Sequence, residues 1–403
     1  MAIKEKKKLI QINTVSNGSI GRIMKEIQSQ AENEGYETIS FVGRRKTYQD
    51  YRCEKFGNPI SFWSHVILNT LFDKQGHGSY FATQKLIKRL REENADIIHL
   101  HNLHGYYLHI PTLMNYLREE FTGDLYWTFH DCWPFTGHCP YFVMVNCDKW
   151  RTKCYECPNK RYYPISIGID SSEANFIEKQ EWFLALRNLK IIVPSQWMKN
   201  LVSESFFKNI SVELVPNGID LSKFKRKKSN EIYDKYSVPL NKKILLGIAD
   251  VWSTRKGLND FIELARILPE QYVIVLVGRY PWHLRKMPSN ILGISYIENM
   301  AELAELYSAA FLFINPSREE SFSLVTIEAM ACKTPVIALD TSAVKELIAP
   351  GCGFVLHAPT AEDYLQTIKL SEHVEFDRER IRSQAEKYPL ENVGKKIIQL
   401  YNG

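Results

Sequence analysis

Short apolar runs separated by helix-length amphipathic stretches recur along the whole chain. Leu9 to Asn13, Thr38 to Gly43, Ile97 to His101, Leu125 to His130 and Ile191 to Pro194 read as strands in the first half. Ile244 to Ala249, Tyr272 to Gly278, Ile294 to Ile297, Phe311 to Asn315, Pro335 to Leu339 and Phe354 to Leu356 read the same way in the second. These runs do not alternate with polar residues, as expected of strands buried on both faces. Alternation with helical stretches then predicts an α/β fold of parallel sheets covered by helices on both sides. At 403 residues, two domains of about 200 are expected. The apolar pattern breaks between Leu221 and Lys243, where Lys223, Lys225, Arg226, Lys227 and Lys228 cluster. We read a first domain over 1–221, a basic linker over 222–243, solvated in preference to anion-binding, and a second domain over 244–385.

Residues 58 to 91 carry Phe62, Trp63, Val66, Ile67 and Leu71, then Tyr80, Phe81, Leu86, Ile87 and Leu90, among Lys85, Lys88, Arg89 and Arg91. A basic amphipathic helix lies either on an anionic membrane surface or against its own sheet with its charges in water. Packing on the sheet is the preferred expectation. The chain is 45% hydrophobic and 24% charged, an ordinary globular composition. A net charge of +5 is too mild to argue for nucleic acid. No run reaches about 18 apolar residues, and Met1 to Lys8 lacks the apolar core of a signal peptide. A cytoplasmic location is expected. The eight cysteines would then be reduced unless a metal holds them. Five crowd together as Cys132, Cys139, Cys147, Cys154 and Cys157. The pair Cys154-Tyr-Glu-Cys157, completed by Cys139 and Cys147, suits a structural zinc closing a Cys-rich insertion at 132–164, the alternative being buried free thiols.

The stretch 313–332 carries the most chemistry. Phe311 to Asn315 is a strand, Ser317 to Ser321 a polar turn, and helical spacing begins at Phe322. The start of a helix presents unpaired N–H groups and partial positive charge, which suit a phosphate. Glu320 precedes that start and Glu328 lies about two turns in, roughly 9 Å away at 1.5 Å per residue. Carboxylates accept from hydroxyls, so the order carboxylate, amides, carboxylate matches sugar, diphosphate and ribose. Two solvated glutamates on an ordinary helix are the alternative. Arg255 and Lys256, before Gly257, are cations at another helix start. Gly18 and Gly21 follow the first strand, in a plain turn or a loop brought close to a ligand. His99 and His101 share one face of a strand end, with His104 beyond, and a metal there is not expected. Thr128-Phe-His130-Asp131 ends another strand.

The run Glu320-Ser-Phe-Ser-Leu-Val-Thr-Ile-Glu328-Ala-Met-Ala resembles the E-G-F-G-L-x-x-x-E-A-M-A motif of the retaining glycosyltransferases of the large fourth family, which have the GT-B fold. Ser321 and Ser323 stand where that motif has glycines. Val215-Pro-Asn-Gly-Ile-Asp220, Lys256-Gly257 and Thr128-Phe-His130 resemble further family motifs, while Asp250 stands where the family has an Arg. The resemblance implies two Rossmann-like domains facing a cleft and a C-terminal helix, 386–403, packed back on the first domain. It implies transfer of a sugar, with retention, from a UDP- or GDP-linked donor to a glycan or lipid-linked acceptor hydroxyl, with peripheral membrane association and no catalytic metal. Glu320 would hold donor-sugar hydroxyls and Glu328 the ribose. Lys256, with Arg255, Ser321, Phe322, Ser323, Leu324 and Gly18, would hold the phosphates. His130 would sit near the reacting carbon with Asp131 as its polar neighbour. A nicotinamide dehydrogenase would need a full G-x-G-x-x-G after a strand, which is missing. A zinc-organised interaction protein without catalysis is the other rival.

Overall fold

The computed structural model describes residues 6–44, 52–227, 231–280 and 287–403. Lys228 of the basic cluster and the first residues of the N-terminal reading lie outside them. The chain forms two compact units, Met1–Pro216 with Glu391–Gly403, and Asn217–Leu390.

Unit 1 contains β1 (Lys8–Asn13), α1 (Gly18–Asn33), β2 (Glu37–Val42), β3 (Cys53–Lys55), α2 (Pro59–Phe72), α3 (Tyr80–Glu93), β4 (Ile97–Leu100), α4 (Ile110–Glu119), β5 (Asp124–Thr128), α5 (Ser172–Leu184), β6 (Leu189–Val193), α6 (Gln196–Glu204) and β7 (Val212–Leu214). All its strands pair in parallel, in the order β3-β2-β1-β4-β5-β6-β7. The direction of winding therefore reverses between β1 and β4, which are neighbours. Leu9, Ile10, Ile12, Ile98 and Leu100 are fully buried, as the unbroken apolar runs require. β3 and β7 are edge strands whose short, charged sequences carry no periodic signal. The C-terminal helix, Leu390–Asn402, belongs to this unit. Tyr401 is buried in it with its hydroxyl 2.5 Å from His99 Nδ1, and Tyr126 donates to the Leu400 carbonyl.

Two segments of unit 1 differ from simple expectation. The 58–91 stretch is two helices, and only α3 packs its apolar face, through Leu86, Ile87 and Leu90. α2 is inverted: it buries His65 and Asn69 and leaves Ile60, Trp63 and Ile67 83%, 61% and 57% exposed. The cause is polar pairing with other segments, His65 to Ser79 and the Gly76 amide, and Asn69 to the distant Ile165 carbonyl. Residues 132–164 form 3₁₀ turns whose Trp133, Phe135 and Trp150 merge with the main core of the unit. The cysteines there form no disulfides.

Unit 2 contains α7 (Glu231–Lys235), β8 (Lys243–Val251), α8 (Leu258–Ile267), β9 (Tyr272–Arg279), β10 (Ile291–Ile294), α9 (Met300–Ala309), β11 (Ala310–Asn315), α10 (Leu324–Ala331), β12 (Val336–Leu339), α11 (Val344–Leu347), β13 (Gly353–Leu356), α12 (Ala361–Ser371) and α13 (Arg378–Ala385). Its parallel sheet runs β10-β9-β8-β11-β12-β13, reversing between β8 and β11. The stretch expected as a solvated linker is fixed to this unit. Phe224 is buried, and Lys227 pairs with Glu305 at 2.7 Å.

Candidate active site

In a doubly wound sheet, ligands bind beyond the carboxyl ends of the strands, where the winding reverses. In unit 2 that place is the pair of loops after β8 and β11. The β8 loop carries Arg255, Lys256 and Gly257, and the β11 loop carries Ser317 to Ser323. The two are tied together. Arg318 N donates to the Arg255 carbonyl at 2.8 Å, and Arg255 Nη1 donates to the Glu319 carbonyl at 2.8 Å. Gly257, at φ 73°, caps α8, and a Cβ there would lie 2.4 Å from Pro316 Cγ. Only glycine lets the loops approach this closely.

This contact places Lys256 Nζ on Glu320 as a hydrogen-bonded ion pair. Burial would raise the Glu320 carboxyl, but the charges of Lys256 and Arg255 and hydrogen bonds from Lys256 and Ser317 hold it below its ordinary value. Burial lowers the Lys256 ammonium despite Glu320. The Glu320 amide donates to Ser342 Oγ, anchoring the loop to the turn after β12.

Ser323 has φ 90° and ψ 83°, a backbone conformation that favours glycine. The strained turn is held by polar contacts: Asn315 Nδ2 donates to Ser323 Oγ at 2.9 Å and to Thr326 Oγ1 at 3.0 Å. The loop thus keeps the backbone path of a glycine while carrying a hydroxyl. No side chain caps the start of α10 at Ser323. Phe322 is buried against Tyr388, so it offers its backbone rather than its ring. Glu328, one helical face further on, is buried and accepts from the Tyr307 hydroxyl at 3.0 Å. It is not the solvated glutamate of the simplest reading. At the end of β9, Arg279 grips Asp250 with both oxygens at 2.6 and 2.7 Å. A guanidinium therefore stands beside the position where the resemblance expects one.

In unit 1 the loops after β1, β4 and β5 converge at the corresponding reversal. Gly18 starts α1 at φ 72°, and a Cβ on Gly21 would lie 2.1 Å from the Ser16 carbonyl oxygen. β4 ends at Leu100 and β5 at Thr128, so His101 and His130 lie past the last ladder residues. Their rings stack, with His101 Nδ1 3.0 Å from His130 Nε2 and His101 Nε2 3.2 Å from Gln11 Oε1. Burial pushes His130 down to about 4 and His99 to about 3, so both are neutral near pH 7. Asp131 pairs with His104 at 2.7 Å and accepts from the Trp133 amide. Burial would raise its carboxyl, but His104 outweighs that and holds it down. The nearest ring partner of His130 is therefore His101, with Asp131 acting on it through charge.

Comparison with known proteins identifies the family. A model described as Glycosyltransferase Family 4 matches residues 20–223, and one described as Glycosyl transferases group 1 matches residues 229–388. The chain is a group 1, family 4 glycosyltransferase. It is 21% identical over 383 residues, 90% of both chains, to the Escherichia coli K12 protein named for colanic acid biosynthesis glycosyl transferase WcaC. It is 24% identical to the Salmonella typhimurium O-antigen chain mannosyltransferase RfbU over 58% of this chain and 64% of that one. Among solved structures, sucrose-phosphate synthase from Thermosynechococcus elongatus matches with a TM-score of 0.71 at 18% identity over 98% of each chain. Anabaena HepE in complex with UDP and glucose matches with a TM-score of 0.68 at 14% identity, covering 98% of this chain and 100% of that one. The architecture of the glycosyltransferase is GT-B.

Within each unit the glycosyltransferase gathers the residues singled out in sequence. Lys256, Glu320 and Ser321 to Leu324 meet at the β8–β11 reversal, with Arg255 tying the loops; Gly18, His130 and Asp131 sit at the strand ends of unit 1. Sequence reasoning missed Tyr307, Asn315, Arg279, Gln11 and His101 as partners of site groups. Contacts from Tyr307 and Gln11 come from elements far off in the chain and leave no local pattern. Among the described residues, no group of three or more His, Cys, Asp or Glu side chains already stands as a metal centre.

Proposed function

We propose that the protein transfers a sugar, with retention at the anomeric carbon, from a nucleotide diphosphate donor to a hydroxyl of a lipid-linked or cell-surface glycan. The observation that carries the donor assignment is the Lys256–Glu320 pair set beside the uncapped start of α10, with buried Glu328 on the same helix. Lys256 and the amides from Phe322 to Leu324 neutralise the departing diphosphate, work otherwise done by a divalent cation. Glu320 accepts from donor-sugar hydroxyls, Glu328 accepts from the ribose, and neutral His130 hydrogen-bonds the reacting sugar. UDP in HepE and the polysaccharide names of WcaC and RfbU agree with this reading.

A membrane-associated acceptor is supported by the inverted helix α2. Its exposed Ile60, Trp63, Ile67 and Leu71 recur at helical spacing. The adjoining segment, whose Ile167 and Ile169 amides bond to the Thr70 and Leu71 carbonyls, exposes Ile165, Ile167 and Ile169 beside them. An apolar face of this extent suits a lipid surface. Among the described residues, no helix is long and apolar enough to cross a membrane.

The reaction is tested by incubating the full chain with UDP-, GDP- and ADP-sugars and a lipid-linked acceptor, following release of nucleotide diphosphate. Proton NMR of the product then reads the anomeric configuration. Retention is expected; an inverted product would contradict the mechanism.

A further inference from the structure

Among the described residues, one group of potential metal-ligating side chains in unit 1 lies outside the donor site. Cys139, Cys147, Cys154, Cys157 and His138 line one small cavity together with Phe142 and Trp150. From these residues we infer a structural site for a zinc-class ion, with thiolates of Cys147, Cys154 and Cys157 as ligands and the fourth position filled from the His138–Cys139 pair.

Several observations carry this. The sulfurs are surrounded by backbone donors. The Gly137 amide donates to Cys154 Sγ at 3.2 Å, the Lys149 amide to Cys147 and the Asn159 amide to Cys157. In the last two pairs the donor lies two residues after the cysteine, so the chain curls its N–H groups around each sulfur. Burial by itself disfavours thiolates at Cys147 and Cys154, so what these donors contribute is position: they fix each sulfur and supply the outer hydrogen bonds that a metal-bound thiolate accepts. Several buried thiolates repel one another, and a divalent cation among them removes that cost.

His138 supplies an independent sign. Its ring is fully buried, with Nδ1 2.6 Å from Asp73 Oδ1 and 3.0 Å from Gln75 Nε2, the carboxylate being the closer partner, while Nε2 has no hydrogen-bond partner. A buried ring nitrogen left unpaired is costly. A carboxylate accepting from Nδ1–H leaves the lone pair of the neutral ring on Nε2, the arrangement in which histidine binds metal with a carboxylate behind it. Among the described residues no group of three or more such side chains stands close enough to hold an ion, so binding requires the thiols and His138 to move toward one another. Cys139, already hydrogen-bonded to Cys157, is the other claimant to the fourth position. The ion would stiffen the irregular segment from Trp133 to Pro158, whose regular structure is confined to short 3₁₀ turns.

The test uses the full chain purified without a metal-affinity tag. Elemental analysis is expected to find about one zinc per chain. Chelation should lower the melting temperature, and added zinc should restore it. Replacement by cobalt(II) should give sulfur-to-cobalt charge-transfer bands and the visible bands of a tetrahedral ion. Cys154→Ser and Cys157→Ser should lose the metal, whereas Cys352→Ser, buried in unit 2, should keep it. Loss in either His138→Gln or Cys139→Ser supports the site and names the fourth ligand; retention in both would overturn it. Should the cysteine variants fail to fold, the wild-type cobalt spectrum still decides. Metal-free protein in which Cys139, Cys147, Cys154 and Cys157 all titrate as thiols, with no sulfur-to-cobalt bands, would overturn the inference.

Discussion

Lys256→Met is the most informative single change, because it separates the pair's structural role from its role with phosphate. The side chains of Lys256 and Glu320 are 20% and 15% exposed, between a surface pair and a dry one. An exposed ion pair contributes about 0.2–1 kcal/mol, and breaking a buried one costs about 3–5 kcal/mol. Lys256→Met should therefore destabilise unit 2 by about 2 kcal/mol, since Glu320 keeps a hydrogen bond from Ser317 but loses its charge partner. Glu320→Gln should cost about 1 kcal/mol, because the amide still accepts. The double variant should cost less than the sum, with a coupling of about 1 kcal/mol. Urea titrations of the four proteins, followed through the unit 2 transition, measure this. Calorimetry with a nucleotide diphosphate supplies the second reading. Lys256→Met should weaken binding by about 1.5–3 kcal/mol, roughly tenfold to a hundredfold or more. Glu320→Gln should leave binding unchanged or improve it, because it frees the ammonium. Additive stabilities, or equal loss of affinity in both single variants, would refute the reasoning.

Three further outcomes follow from the same geometry. Glu328→Ala should weaken nucleotide binding by about 1.5–3 kcal/mol, whereas Tyr307→Phe, which removes only the hydroxyl partner, should weaken it by less; calorimetry compares them. His130→Ala should lower turnover about 10²- to 10³-fold with donor affinity nearly intact, checked by kinetics beside the melting temperature of the same sample. Unit 1 should lose stability as pH falls from 6.5 toward 4. Burial lowers His130 to about 4 and His65 and His99 to about 3, so in that window the unfolded chain binds more protons. Their stabilisation is complete above pH 6.5 and is worth on the order of 3 kcal/mol per ring. Urea midpoints read by tryptophan fluorescence at pH 7, 5.5 and 4.5 would be level if this were wrong.

The strands were legible because burial on both faces leaves an unbroken apolar run, and every one read from sequence has its counterpart within a few residues. β3 and β7 escaped because three residues at a sheet edge need no such run. In the site, the Glu320–Glu328 spacing was readable because it lies within one loop and helix. The grip of Arg279 on Asp250 was not, because it joins neighbouring strand ends that only the sheet order brings together. α2 misled for a related reason: its buried His65 and Asn69 answer partners at Ser79 and Ile165, so the polar stripe turned inward. Ser323 shows a further limit. Sequence shows a serine in a glycine position, but the cross-link from Asn315 that tolerates it appears only in three dimensions.

The central claim is that the β8 and β11 loops of unit 2 bind a nucleotide diphosphate through Lys256 and Glu328. Isothermal titration of wild type and Glu328→Ala with UDP, GDP and ADP tests it most directly. The account predicts that at least one nucleotide binds the wild type with a one-to-one stoichiometry and binds Glu328→Ala more weakly by about 1.5–3 kcal/mol. Equal affinity of both proteins for that nucleotide, or no binding to folded wild type by any of the three, would contradict it.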